Sequence, residues 1–185
     1  MRGHVEDELH PRRLEVHGGG LGGYGRGKPA GDDRKEHHYA SRRPRWRRGW
    51  KVNQGDALPS VEKSVTQERV ERYAEASGDF NPIHVDDEFA SQSQFGGRIA
   101  HGMMIAATIS EMMTTAFGRA WLESGRMKIR FRAPVFPGEQ IRTGGTVKSV
   151  RERDEGVEIA CAVQVTKDNG ETAISGDAVV TVEAG

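Results

Sequence analysis

Between Ser77 and His84 the chain reads SGDFNPIH, so a carboxylate (Asp79), an amide (Asn81) and an imidazole (His84) fall on one short segment. Pro82 cannot continue a helix and pushes Asn81 toward an extended conformation, so the segment is a shaped loop. A carboxylate and an imidazole on such a loop can share one water molecule, and the ordinary histidine pKa near ~6.5 suits the ring to take a proton at neutral pH. Taken singly, the same residues are ordinary: Asp79 caps a turn, Asn81 forms an Asx turn ahead of Pro82, and His84 fills a surface or core position. The chemical reading requires that the side chains converge. The ordinary one does not.

A second group of residues bears on that choice. Gly102 opens the apolar run HGMMIAATISEMMTTAFG. The first N–H groups of a helix have no intrahelical partner, and the positive end of its dipole points outward, so a carbonyl oxygen placed there is polarised. An acid/base pair beside such a donor is what adding water across a carbon–carbon double bond conjugated to a thioester requires. His101, just before the helix, is read as a structural residue at the helix start or, failing that, as a second acid/base group. Ser110 lies on the same helix and can reach the pair by a hydrogen bond, or bond back to its own helix carbonyl. Met103, Met104, Met112 and Met113 are expected in the core and around an apolar pocket, with Met103 a candidate substrate contact. No His, Cys or carboxylate spacing indicates a metal, and none is expected.

The elements that must hold these groups follow from capping and periodicity. Val61 and Val65 suggest a short first strand; Thr66 can cap a helix carrying Glu68 in its first turn, with Val70, Tyr73, Ala74 and Ser77 at helical spacing and Gly78 as the stop. The run from Gly102 to Phe117 is apolar almost all round, so that helix belongs in the middle of a fold. Four runs of period near two follow: RMKIRFRAPVF, EQIRTGGTVKSVRER, GVEIACAVQVTKD and TAISGDAVVTVEA, the last preceded by the turn residues Asp168, Asn169 and Gly170. Sequential strands with short turns imply an antiparallel sheet, and the apolar helix is what it covers. The pair Gly144–Gly145 inside a strand predicts a bulge or sharp bend. Lys128, Arg130 and Arg132 alternate along one strand face, as either a phosphate contact or a plain solvent-facing row.

Composition divides the chain. Residues 1–50 hold five residues from Leu, Ile, Val and Phe, ten glycines and a net charge of +5; the remaining 135 carry −5. The first segment cannot bury enough surface to offset ordering entropy and is expected to be a disordered Arg/Gly-rich tail, with residues 51–185 as one domain. Its RRPRWRRGW run interleaves arginine with tryptophan, yet the acidic domain gives no support to a nucleic-acid partner, and none is expected. One cysteine, Cys161, excludes an intrachain disulfide, and no apolar run approaches the ~18 residues of a membrane span, so a cytoplasmic protein is expected.

The stretch YAEASGDFNPIHVDDEFA resembles the signature of the MaoC-like dehydratases, the family that includes the (R)-specific enoyl-CoA hydratases. AHGMMIAATIS is similar to the family's central helix, and FRAPVFPGEQI to the strand and turn that follow. The resemblance covers roughly residues 55–183. It implies an α+β hot-dog fold, a curved antiparallel sheet wrapped round a long helix, usually as a homodimer. It further implies that Asp79 and His84 activate water and deliver a proton to the α-carbon, that the Gly102 N–H binds the thioester oxygen, and that Ser110 and Asn81 support the pair. The implied reaction is reversible hydration of a trans-2-enoyl-CoA to the (R)-3-hydroxyacyl-CoA, with no cofactor beyond the coenzyme A of the substrate; Met103, Lys128 and Arg130, read from their own positions in the sequence, are the candidate substrate contacts. Two alternatives stand beside it: a dehydratase acting on thioesters of acyl carrier protein, and a hot-dog module that binds an acyl thioester without turning it over.

Overall fold

The computed structural model describes residues 52–183; the tail expected over residues 1–50 lies outside them. The sheet is built from β1 (Glu62–Ser64), β2 (Arg126–Phe131), β3 (Gln140–Arg153), β4 (Gly156–Lys167) and β5 (Thr172–Val182). All neighbours pair antiparallel, in the order β1-β3-β4-β5-β2, so β1 and β2 form the edges. Among the described residues five helices accompany it: α1 (Gln67–Ser77), α2 (Pro82–Val85), α3 (Asp87–Ser91), α4 (Gly102–Phe117) and α5 (Arg119–Ser124).

Alternation along the strands assigns the sheet's faces. Ile159, Cys161, Val163 and Val165 of β4 are buried, as are Ile141 and Val147 of β3 and Ala178 and Val180 of β5. This inner face meets α4, which packs against β3, β4 and β5. Ile109, Met112, Met113 and Phe117 of α4 are fully buried, each worth roughly 1.5–3 kcal/mol against exposure. The expected architecture, a central apolar helix wrapped by an antiparallel sheet, is the one observed, and among the described residues no helix is long and apolar enough to cross a membrane.

Helix α1 starts and stops as its sequence dictates. The Thr66 hydroxyl accepts from the Arg69 N–H at 3.3 Å, and Gly78, at φ 73°, ends the helix with its N–H on the Ala74 carbonyl at 2.8 Å. Asp79 is therefore the first residue beyond the helix. The glycine pair differs from expectation. Gly144 and Gly145 pair regularly with Gln164 and Val163, and the register shift falls later, between Val147 and Ser149. Gly145 instead permits a close approach: a Cβ there would lie 2.6 Å from Leu58 Cδ1, on the segment whose Leu58 N–H bonds the Gly145 carbonyl at 2.9 Å.

Candidate active site

The loop after Gly78 is folded by its own side chains. The Asp79 carboxylate accepts from the Asn81 N–H at 3.3 Å, and the Asn81 side-chain oxygen accepts from the Ile83 N–H at 3.2 Å, capping α2 with Pro82 in its first turn. Asn81 thus shapes the turn that carries His84, and one oxygen of Asp79 takes part in it.

His84 is buried, and its position is tied at both ends. Gln67 Nε2 donates to the His84 carbonyl at 3.1 Å, while the ring's Nδ1 lies 2.7 Å from the Ile99 carbonyl oxygen. A carbonyl only accepts, so Nδ1 carries a proton, and in the neutral ring the lone pair falls on Nε2. The Ile99 N–H returns a bond to the Ile83 carbonyl at 3.2 Å, and the Ala100 N–H bonds the Val135 carbonyl at 2.8 Å. Segment 99–101 is therefore stitched to the loop on one side and to the stretch after β2 on the other. It then turns directly into α4 at Gly102, whose first intrahelical bond runs from the Ile105 N–H to the His101 carbonyl. The N–H groups ahead of that bond have no partner within the helix.

His84 and Gly102 line one cavity of about 300 Å³, with Ile99, Ile105, Phe131 and Val135 among its apolar walls. An oxygen of Asp79 and one ring nitrogen each of His84 and His101 lie within 4.8 Å of one another. Two hydrogen bonds of ordinary length through a water span up to about 5.5 Å, so a single water can bridge the carboxylate and the imidazole. The same three side chains are close enough to suggest metal ligands, a proximity with no counterpart in the local spacing of the sequence. The His84 and His101 rings stack at 3.8 Å with planes 30° apart. Each ring commits one nitrogen to a carbonyl, which leaves its other nitrogen as the one open to a ligand.

Other expected site residues are placed elsewhere. Ser110 stands about 12 Å along the α4 axis from Gly102, and its hydroxyl accepts from Trp121 Nε1 of α5 at 2.9 Å. Met103 is 61% exposed and does not line the cavity; Met112 and Met113 lie in the core. Lys128 and Arg130 stand exposed on the edge strand β2, whereas Arg132, held to Ser175 Oγ through its Nε at 3.0 Å, reaches the cavity. The apolar wall missed in the sequence is Phe131 and Phe95: the first alternates with the basic row, and the second sits in an irregular stretch without periodicity.

An antiparallel sheet wrapped round a central helix, with buried His84 and the helix start at Gly102 lining one apolar cavity, defines a protein of the hot-dog class. Residues 52–169 match the MaoC like domain, and the chain belongs to the MaoC-like dehydratase family. It is 31% identical over 122 residues to 3-hydroxybutyryl-CoA dehydratase of Methylorubrum extorquens, covering 66% of this chain and 76% of that one. It is 36% identical over 112 residues to 3-hydroxyacyl-thioester dehydratase Z of Mycobacterium tuberculosis, covering 58% and 71%. The solved structure of the (R)-hydratase from A. caviae involved in PHA biosynthesis superposes with a TM-score of 0.61 at 26% identity, over 71% of this chain and 97% of that chain. The chain is a hydro-lyase of the hydratase and dehydratase type.

Proposed function

We propose that this domain hydrates trans-2-enoyl-CoA reversibly to (R)-3-hydroxyacyl-CoA. The observation that carries the reading is the placement of His84: its proton is held on Nδ1 by the Ile99 carbonyl, and it lines the same cavity as Gly102. A water held between Asp79 and His84 gives up a proton to this pair as its oxygen bonds the β-carbon; the pair returns a proton to the α-carbon, so the net change is H and OH added across the double bond. The Gly102 N–H bonds the thioester oxygen, where negative charge gathers as the β-carbon is attacked. No cofactor enters beyond the coenzyme A of the substrate. Arg132 at the cavity, one residue past β2, with Lys128 and Arg130 on that strand, offers positive charge to the carrier's phosphates.

The same reading takes the chain as a homodimer. Edge strand β2 is paired on one side by β5 and carries Met127 and Phe131 exposed, with Met103 also exposed one residue past Gly102. Sedimentation at the mass of a single chain would remove that part. The reaction itself is tested by incubating the purified protein with crotonyl-CoA and determining the configuration of the 3-hydroxybutyryl-CoA formed. The (R) product is expected. No hydration, or the (S) product, would overturn the proposal, and turnover only of the acyl carrier protein thioester would reassign the carrier.

A further inference from the structure

We propose that His101 is a positioning residue: its side chain fixes the main chain of Asp79 and the ring plane of His84, while its own backbone sets the start of α4 at Gly102. The inference rests on the site reading above, because it concerns how those three parts keep their spacing.

His101 is 2% exposed, and its Nε2 lies 2.9 Å from the carbonyl oxygen of Asp79, 22 residues back in the chain. Since that oxygen can only accept, the proton sits on Nε2. The ring is sandwiched between Tyr73 of α1, at 4.9 Å, and His84 of α2, at 3.8 Å. Its Nδ1 is buried without a hydrogen-bond partner.

That orphaned nitrogen discriminates between two roles. A ring needed only to fill the stack would serve better as an apolar aromatic, which leaves no buried acceptor unsatisfied. The imidazole carries that cost, and what it supplies in return is the N–H on Asp79. Asp79 needs an anchor: it follows a left-handed glycine, its side chain is exposed, and its other hydrogen bonds among the described residues are local ones, to Ser77 and Asn81. The bond from His101 ties the carboxylate's backbone to the residue that immediately precedes Gly102. It thereby fixes the distance between the proton-handling pair and the carbonyl donor, while the ring's face holds the His84 plane against rotation.

The test uses two variants of the full chain. His101→Gln places an amide N–H where Nε2 stands but lacks the ring; His101→Phe keeps the ring and lacks the donor. With crotonyl-CoA, His101→Phe is expected to lose about 10²-fold in kcat, the usual effect of displacing a reacting group by ~1 Å, with KM within about threefold. Its Tm should stay near that of the wild type, the removal of the orphaned nitrogen offsetting the donor lost from the Asp79 carbonyl. His101→Gln should recover kcat to within about tenfold of the wild type. Hydrogen exchange of the amides from Asp79 to His84 should quicken in His101→Phe and stay slow in His101→Gln. A folded His101→Phe with wild-type kcat and unchanged exchange overturns the proposal, as does a folded His101→Gln no better than His101→Phe. If the wild type hydrates nothing, the reaction reading falls, and the exchange comparison alone decides whether His101 anchors the loop.

Discussion

Replacing Gly102 by alanine separates the chemistry of the helix start from its packing. A Cβ at Gly102 would lie 2.9 Å from Phe131 Cε1, 3.2 Å from Cζ and 3.3 Å from Cδ1, so the phenyl ring must give way by several tenths of an ångström. Phe131 ends β2 and is 55% exposed, which leaves the ring free to turn toward solvent. A rotamer displacement of that kind costs about 0.5–1.5 kcal/mol, and exchanging glycine for alanine in a helix returns about 0.5–1 kcal/mol. The two nearly cancel, so Tm should move by no more than about 4 °C. The methyl group, however, meets Phe131, which with Gly102 lines the cavity that is to receive the thioester. Alanine keeps the N–H, so the effect expected is loss of the oxygen's bond to it by displacement, and losing the bond to one such donor costs about 10²–10³ in rate, or about 2.7–4 kcal/mol. Steady-state kinetics on crotonyl-CoA, with a melting curve on the same sample, read both quantities. Pairing Gly102→Ala with Phe131→Leu distinguishes the causes: a rate restored in the double variant assigns the loss to ring displacement, and a rate not restored assigns it to the blocked N–H. Gly102→Ala folded and within threefold of wild-type kcat/KM would refute the oxyanion role.

Three further outcomes are expected. His84→Ala and Asp79→Asn should each lower kcat by roughly 10²–10⁴ with the fold retained by circular dichroism, the amide oxygen introduced by Asp79→Asn still accepting from the Asn81 N–H; near-wild-type turnover in both would remove the acid/base pair. Ser110→Ala takes away the acceptor of the Trp121 indole, so it should lower stability by about 1–3 kcal/mol in urea and leave kcat within threefold; a fall in kcat at unchanged stability would instead give Ser110 the supporting part expected from its family resemblance. Burial pushes the Cys161 thiol up from 9.0 to about 11, so between those pH values the unfolded chain binds fewer protons than the folded one and stability declines as pH rises. That contribution, roughly 2–3 kcal/mol, is whole below pH 9 and spent above pH 11; urea unfolding of the wild type and Cys161→Ala across this range should show a steeper decline for the wild type, and parallel declines would contradict it.

The frame of this domain was legible because its long elements repeat a period many times. The apolar run from Gly102 to Phe117 and the alternation through β3, β4 and β5 each bury one continuous face, and Thr66 and Gly78 mark both ends of α1. Helices α2, α3 and α5, of four to six residues, were not legible, since so short a segment completes barely one turn and shows no periodicity. The Gly144–Gly145 pair pointed to an irregularity in the strand. Its real reason, the Leu58 segment lying across Gly145, depends on a contact with a stretch that belongs to no strand.

The candidate site was legible in its residue types and illegible in what holds them. Asp79, His84 and Gly102 were visible as residue types, and the structure gathers them at one end of α4. The side chains expected to assist were assigned by proximity along the helix, and proximity along α4 sends Ser110 to Trp121 and Met103 to the surface. His101 shows what such assignments leave out. The acceptors that orient it and His84 are peptide oxygens, of Asp79 and Ile99, 22 and 15 residues away. Every residue carries such an oxygen, so no residue type marks the one that is used. Yet that oxygen decides which nitrogen of His84 bears the proton, and therefore whether the ring can present a lone pair at Nε2 to a water. The residue type at position 84 is written in the sequence; its tautomer is a property of the fold alone.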